Sequence, residues 1–345
     1  MSAKLISASF LVSAVLIGAG VAISQSRISP GPYAMEAADQ SGDVDMDVLH
    51  AQVLLDRAGF APGVIDGQKG KSFGTAVKGF QTSRELDVTG KLDQPTLAAL
   101  QADAVPATRD LKIDETDAQG LFTPSIPKEP AEQAQMNCLC YRNLLEKLAE
   151  KFHTTPETIL ALNDPKTPMT AGSMLKLPNV LPRTRSYAEV KPDAGQMLSD
   201  LNVSGDLPKA DRIVVDKSDG VLRLFDSHGQ LMAQFPATMG STHDPLPLGQ
   251  WKVTAVDYNP PFHYQPELFW DVADKSDEQH LPGGPNGPVG TVWIDLTKEH
   301  YGIHGTNEPQ TIQRSQSHGC IRLTNWDAAR VAQMTKPGME VIFQA

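Results

Sequence analysis

Between Arg212 and Phe343 the chain breaks into short runs rich in β-branched and aromatic residues: IVVD, VLRLFD, LMAQFPATMG, WKVTAVDY and TVWIDL. Gly, Asn, Asp and Pro separate the runs, and Asp219-Gly220 and His228-Gly229 suit hairpin turns. MEVIF, near the C-terminus, reads as a closing strand. The one clear helix is Asn325 to Met334, with Asn325 as its N-cap and Asp327 in the first turn, where the helix dipole favours a carboxylate. Residues 210–345 are therefore expected to form a β-sandwich with a small helical addition.

A chain of 345 residues is too long for one typical core, so further domains are expected upstream. Val48, Ala51, Leu55 and Ala58 recur at helical spacing, and Phe73, Ala76, Val77 and Phe80 mark a second helix. Asp93 caps a third, with Pro95 in its first turn. Residues 46–101 thus read as a three-helix unit. Its GF…G.IDG turn, TAV..FQ helix and TG.LD..TL.AL ending resemble the small peptidoglycan-binding module of cell-wall enzymes. Residues 102–135 are rich in Asp, Glu, Pro and Thr without clear periodicity and read as a linker.

Within 136–182, Leu145, Leu148, Ala149 and Phe152 form one helical face, Thr155 caps a second helix, and LKLP suggests a closing strand. LAEKFHTTPETILALN and AGSMLKLP resemble a lysin-motif (LysM) module, with Arg142-Asn143-Leu144 where that family has a strand and a Gly-Asp-Thr turn. Residues 183–209 are polar and Pro-containing and read as another linker.

Lys4 precedes a nearly uninterrupted apolar run, Leu5 to Ile23, with small residues near Ala22 and Ser24. Residues 1–25 are expected to be an export signal or a membrane anchor through 5–23, and 26–45 a tether. Export would place the protein in the periplasm or cell envelope, cleaved or anchored in the inner membrane. The net charge of −11 offers no basic face for nucleic acid.

Export also allows disulfides, yet three cysteines cannot all pair within one chain. Cys138 and Cys140 either pair with each other or stay free. Cys320, in SQSHGCIRLTN, has no evident partner. Four readings of it compete: nucleophile, zinc ligand with His304 and His318, buried structural thiol, or half of a disulfide. A nucleophile needs a base, and His304 in YGIHGT is the first candidate, His318 the second. Arg314, Arg322 and either imidazolium would favour a thiolate. Gly305 and Gly319 let the backbone bend, and the N–H groups of Gly319 and Cys320 suit an oxyanion. No carboxylate is placed to orient His304, so a backbone carbonyl is the natural substitute. No further ligand sits at metal-type spacing, which weakens the zinc reading.

GIHGTNEPQTIQRSQSHGCIRLTNWDAARVA resembles the signature of the L,D-transpeptidase catalytic domain, an IHGT segment followed by SHGC, an apolar residue and Arg. Pro247-Leu248-Gly249 and PGGPNGPVGTVWI support the resemblance, which covers about 210–343. It departs at Gln313, where the family usually has Gly. The resemblance implies Cys320 as nucleophile and His304 as general base, held by the carbonyl of Gly305. It also implies Ser317, His318 and Gly319 lining the substrate pocket, with Arg322 supporting substrate or pocket geometry. The resemblance implies no metal or organic cofactor. The implied partners are the stem peptides and glycan of peptidoglycan. The implied reaction is a 3→3 cross-link through a cysteine acyl-enzyme on tetrapeptide stems. Water as acceptor would make it an L,D-carboxypeptidase, and a wall-attached protein is a third acceptor. The competing class is a non-catalytic wall-binding protein.

Overall fold

The computed structural model describes residues 44–345, apart from 104, 189, 270, 271 and 273–276. The expected leader or anchor, 1–25, lies outside the described residues, as does the tether except for 44 and 45. Among the described residues no helix is long and apolar enough to cross a membrane.

The first module packs α1 (Met46–Arg57), α2 (Lys71–Ser83) and α3 (Gln94–Leu100) around Leu55, Phe60, Phe73, Val77 and Phe80. Asp45 caps α1, its carboxylate accepting from Asp47 N and Val48 N, and Asp93 caps α3. The spacing read from the sequence supplies this core directly.

The stretch expected to be a linker, 102–135, contributes structure instead. It supplies β1 (Thr108–Lys112), followed by α4 (Glu115–Ala118) and α5 (Pro130–Gln133). Next come α6 (Leu144–Lys151), α7 (Pro156–Leu162) and β2 (Met174–Pro178), and β1 pairs antiparallel with β2 from Thr108↔Pro178 to Lys112↔Met174. Ile113, Leu148, Phe152, Ile159, Leu175 and Leu177 share one core. TRDLK has a single apolar residue, so it shows no period; backbone pairing with β2, not burial, makes it a strand. Cys138 and Cys140 are bonded to each other, which leaves Cys320 as the free thiol.

The second expected linker, 183–209, is also corrected. It carries α8 (Pro192–Asp200), and Leu198, Leu201 and Val203 are buried in the core of the large domain. Ala194, Met197, Leu198 and Leu201 hold helical spacing, which Pro192, Gly195 and Gly205 obscure in the sequence.

The large domain then runs β3 (Arg212–Asp216), β4 (Val221–Phe225), β5 (Leu231–Pro236), β6 (Thr238–Met239), β7 (Gly249–Tyr258), β8 (Phe262–Tyr264), β9 (Gln279–Leu281) and β10 (Val292–Leu296). It ends with β11 (Gly302–His304), β12 (Ile321–Arg322), α9 (Asn325–Met334) and β13 (Glu340–Gln344). Nine strands hydrogen-bond in the order β5-β4-β3-β13-β7-β10-β11-β12-β6, while β8 and β9 form a separate hairpin. The start of β7 pairs with β13, and from Val253 onward it pairs with β10. That long strand joins two half-sheets, which share one core with α9 (Phe235, Val253, Ile294, Ile303, Trp326 and Val331 among its members). The sandwich is thus made from one continuous ladder.

Both N-terminal modules pack on this domain. Ala61 N donates to Gln234 O at 2.9 Å and Gln234 N to Gly59 O at 3.0 Å, so the first module covers the edge strand β5. The His153 ring stacks on Trp326 of α9 with centroids 5.3 Å apart. Arg330 of α9 grips Asp56 of α1 through two bonds of 2.8 and 2.6 Å, and His153 Nδ1 lies 3.1 Å from the same carboxylate. All three bodies meet at α9.

The cap of α9 differs from expectation. Thr324 is the N-cap, its hydroxyl accepting from Asp327 N at 3.2 Å. Asn325 is the first helical residue and turns its amide inward. Asp327 sits in the first turn as expected, and burial pushes its carboxyl up to about 7 against the opposing Arg330 charge.

Candidate active site

β11 and β12 run parallel, with Ile303 opposite Ile321 and His304 opposite Arg322. Ile303 and Ile321 are fully buried on the core side. Side chains alternate along a strand, so His304, Cys320 and Arg322 share the other face. That face opens into a cavity of about 850 Å³, whose walls include His304, Cys320, Arg322, His318, Trp293, Tyr301 and Phe269.

His304 Nδ1 lies 2.7 Å from Gly305 O. A carbonyl oxygen only accepts, so Nδ1 carries the proton and Nε2 keeps its lone pair. The ring stacks on Trp293, its cross-strand neighbour, with centroids 5.5 Å apart. Burial, then the Arg322 charge, push the imidazolium pKa down to about 3, against the bond to Gly305. Near neutral pH the ring is an uncharged base.

Burial raises the Cys320 thiol above its ordinary value, while the Gly302 amide and Arg322 oppose it. Sγ lies 3.7 Å from His300 O, an acceptor for its S–H. Near neutral pH Cys320 is therefore a thiol and His304 a neutral imidazole. Gly319 has φ +105°, and a Cβ there would meet the Tyr301 ring at 2.6 Å, so glycine is required beside the thiol.

His318 lines the cavity and meets the Phe269 ring edge-on at 5.0 Å. Arg322 lines it beside His304. Ser317, implied to line the pocket, is buried behind it. Its hydroxyl donates to Cys320 O and accepts from Gly240 N, each at 2.7 Å, tying the thiol's loop to β6. Gly319 likewise shapes the loop and is not part of the cavity wall. Gln313 has φ +63°, the left-handed region that suits the family's usual Gly. Its amide N donates to Thr238 Oγ1 at 2.9 Å and its Nε2 to Gly220 O at 2.7 Å, which offsets that conformational cost of about 1–2 kcal/mol. Among the described residues no three His, Cys, Asp or Glu side chains are grouped to hold a metal.

Sequence reasoning missed Trp293, Tyr301 and Phe269. Trp293 was accessible: in TVWIDL, Val292 and Ile294 point inward, so Trp293 must share the His304 face.

Residues 210–343 match the family model described as the L,D-transpeptidase catalytic domain, and residues 45–100 match the "Putative peptidoglycan binding domain". A Bacillus licheniformis protein named "Putative L,D-transpeptidase YkuD" is 27% identical over 200 residues, covering 57% of this chain and 91% of its own length. A Bacillus subtilis (strain 168) protein of the same name is 47% identical over 57 residues, covering 16% of this chain and 35% of that protein. Among solved structures, L,D-transpeptidase 3 from Mycobacterium tuberculosis aligns with a TM-score of 0.31 at 19% identity, over 39% of this chain and 60% of that one. This chain therefore spans less than two thirds of that solved chain. The fold and site define a β-sheet catalytic domain behind a helical N-terminal region. Residues 210–343 are thus similar to an L,D-transpeptidase catalytic domain, and residues 45–100, ahead of them, to a peptidoglycan-binding domain.

Proposed function

We propose that the protein is a peptidoglycan L,D-transpeptidase that forms 3→3 cross-links through an acyl-enzyme on Cys320. The observation that carries this reading is the placement of His304 on β11 and of Cys320 immediately before the parallel strand β12, both facing one cavity, with the His304 Nε2 lone pair free of the Gly305 bond. In this mechanism Cys320 Sγ attacks the carbonyl at the L-centre of diaminopimelate in a tetrapeptide stem. His304 Nε2 takes the thiol proton and delivers it to the leaving D-alanine amine as the C–N bond breaks. The Gly319 and Cys320 N–H groups receive the oxyanion. An amine of a second stem then attacks the thioester, forming the new amide and returning the proton to sulfur through His304. Arg322 and Lys298, both on the cavity wall, suit the carboxylates of the stem. The first module would hold the enzyme on murein and raise the local concentration of stems. A role outside the cytoplasmic membrane, in the periplasm or cell envelope, is supported by the Cys138–Cys140 disulfide, a bond of oxidising compartments.

Incubation with tetrapeptide-bearing muropeptides tests the reaction. Cross-linked dimers with release of D-alanine are expected. Tripeptides alone would replace the amine by water as acceptor, and unchanged substrate would contradict the proposal.

A further inference from the structure

The His304 carbonyl partner is itself held from outside the catalytic domain. Gly305 packs against the side chain of Asn325, as does Gly290, and a Cβ on either glycine would collide with Asn325 Oδ1. The amide is therefore wedged between the two backbones. Its orientation is set at both ends. Thr291 N–H, which only donates, reaches Oδ1 at 3.1 Å. On the other side Nδ2 donates to the two carboxyl oxygens of Glu150 at 2.9 and 3.0 Å, and lies 3.2 Å from Pro285 O. Glu150 belongs to α6 of the second module, is 7% exposed, and also accepts from Tyr141 O–H at 3.1 Å. A buried carboxyl is costly to keep, so one that bonds across a module boundary into the wall behind the catalytic histidine calls for a role.

We propose that Glu150 is a positioning residue for the His304–Cys320 pair. It acts through Asn325, whose amide it orients, and through Gly305, whose carbonyl holds His304 Nδ1. With Glu150 in place, the Asn325 oxygen faces Thr291 N–H and the Gly290 and Gly305 backbones. Without it, the amide is released to rotate and turn its N–H₂ toward a backbone donor. Gly305 then loses its support, and with it the 2.7 Å bond that fixes the imidazole tautomer and ring plane. Burial pushes the Glu150 carboxyl up to about 8, against its bonds to Asn325 and Tyr141. In either protonation state one oxygen accepts from Asn325. The catalytic domain is in this respect incomplete without the second module, an assignment that rests on the proposed pairing of His304 with Cys320.

The test uses the full chain and a probe independent of any cell-wall substrate. Cys320 is the free thiol, so iodoacetamide reports on it alone while the Cys138–Cys140 disulfide is intact. Alkylation rates are measured from pH 5 to 10 for wild type, H304A, E150M and E150Q, with thermal melting as the folding control. Glu150→Met keeps an unbranched side chain of similar length and removes the acceptor. It is expected to slow alkylation by about tenfold near pH 7, as misplacement of a catalytic group does, and to move the pH profile toward that of H304A. Glu150→Gln keeps an acceptor oxygen and is expected to restore the wild-type profile. If E150M does not fold, Asn325→Ser, a residue well tolerated at a helix start, should show the same loss. An unchanged rate and profile in the folded variant, with H304A altered, overturns the positioning role alone. H304A behaving as wild type overturns the pairing itself.

Discussion

Replacing His304 by alanine is expected to slow acylation of Cys320 at neutral pH by about 100- to 10,000-fold, the usual worth of a general base. The thiol is half-buried on the cavity wall, its partial desolvation raises its pKa, and near neutral pH it holds its proton. The imidazole is neutral and, with Nδ1–H committed to Gly305 O, offers Nε2 as acceptor. Removing it leaves only the small thiolate fraction to react. The H304A rate should therefore climb about tenfold per pH unit until the thiol ionises, as a nucleophile without a base does. The wild type should behave differently. Its base is depressed to about 3, so acylation should show no loss centred near 6.5, the ordinary histidine value. Stopped-flow acylation by a β-lactam across pH 4–10 measures both. A wild-type inflection near 6.5 would mean that His304 is not held as described.

The second large effect concerns stability. Arg330→Ala is expected to cost about 3–5 kcal/mol near neutral pH, the range for removing one partner of a buried ion pair. The Asp56 side chain is fully buried, and Arg330 meets it with two hydrogen bonds. Burial alone would raise the Asp56 carboxyl; the Arg330 and His153 charges and bonds override it and hold the carboxyl far below its ordinary range. In the wild type this stabilisation is present above the unfolded pKa, about 4, and fades as pH falls through the depressed folded value. In R330A the sign reverses: burial dominates, the folded pKa rises, and the cost of ionising Asp56 grows as pH climbs from about 4 towards 7. The thermal midpoints of wild type and R330A should thus converge in acid and diverge at neutrality. His153 and Asp327 face the same cluster and will temper the slope, His153 by gaining a proton in acid and Asp327 by releasing one near 7. An apolar pair, Asp56→Leu with Arg330→Met, should recover much of the loss, because it leaves no buried charge unpaired. Equal midpoints for wild type and R330A at pH 7 would mean that the modules are not locked at α9.

Much of this site is legible because its parts are local in sequence. His304 ends one short strand, Cys320 immediately precedes the next, and glycines bound both, so the motif and its placement coincide. The three-helix module is legible for a similar reason: Phe73, Ala76, Val77 and Phe80 form one face of a single helix. What escaped the sequence depended on partners far away. β1 exists because Met174–Pro178 offers it a ladder, and TRDLK carries no pattern of its own. The Ser317 side chain looks like a pocket residue until Gly240 is seen beside it. Asn325 reads as a helix cap because Asn commonly is one; Glu150 and Thr291 claim its amide, and Thr324 caps instead. The Asp56–Arg330 pair joins residues 274 apart in sequence, and no local rule relates them.

The most direct measurement is the intact mass of the full chain after exposure to a carbapenem, for wild type and for Cys320→Ala. Cys320 as nucleophile predicts one covalent adduct on the wild type, mapped by peptide digestion to Cys320, and none on the variant. Equal labelling of the two proteins, or no labelling of a folded wild type, would contradict it.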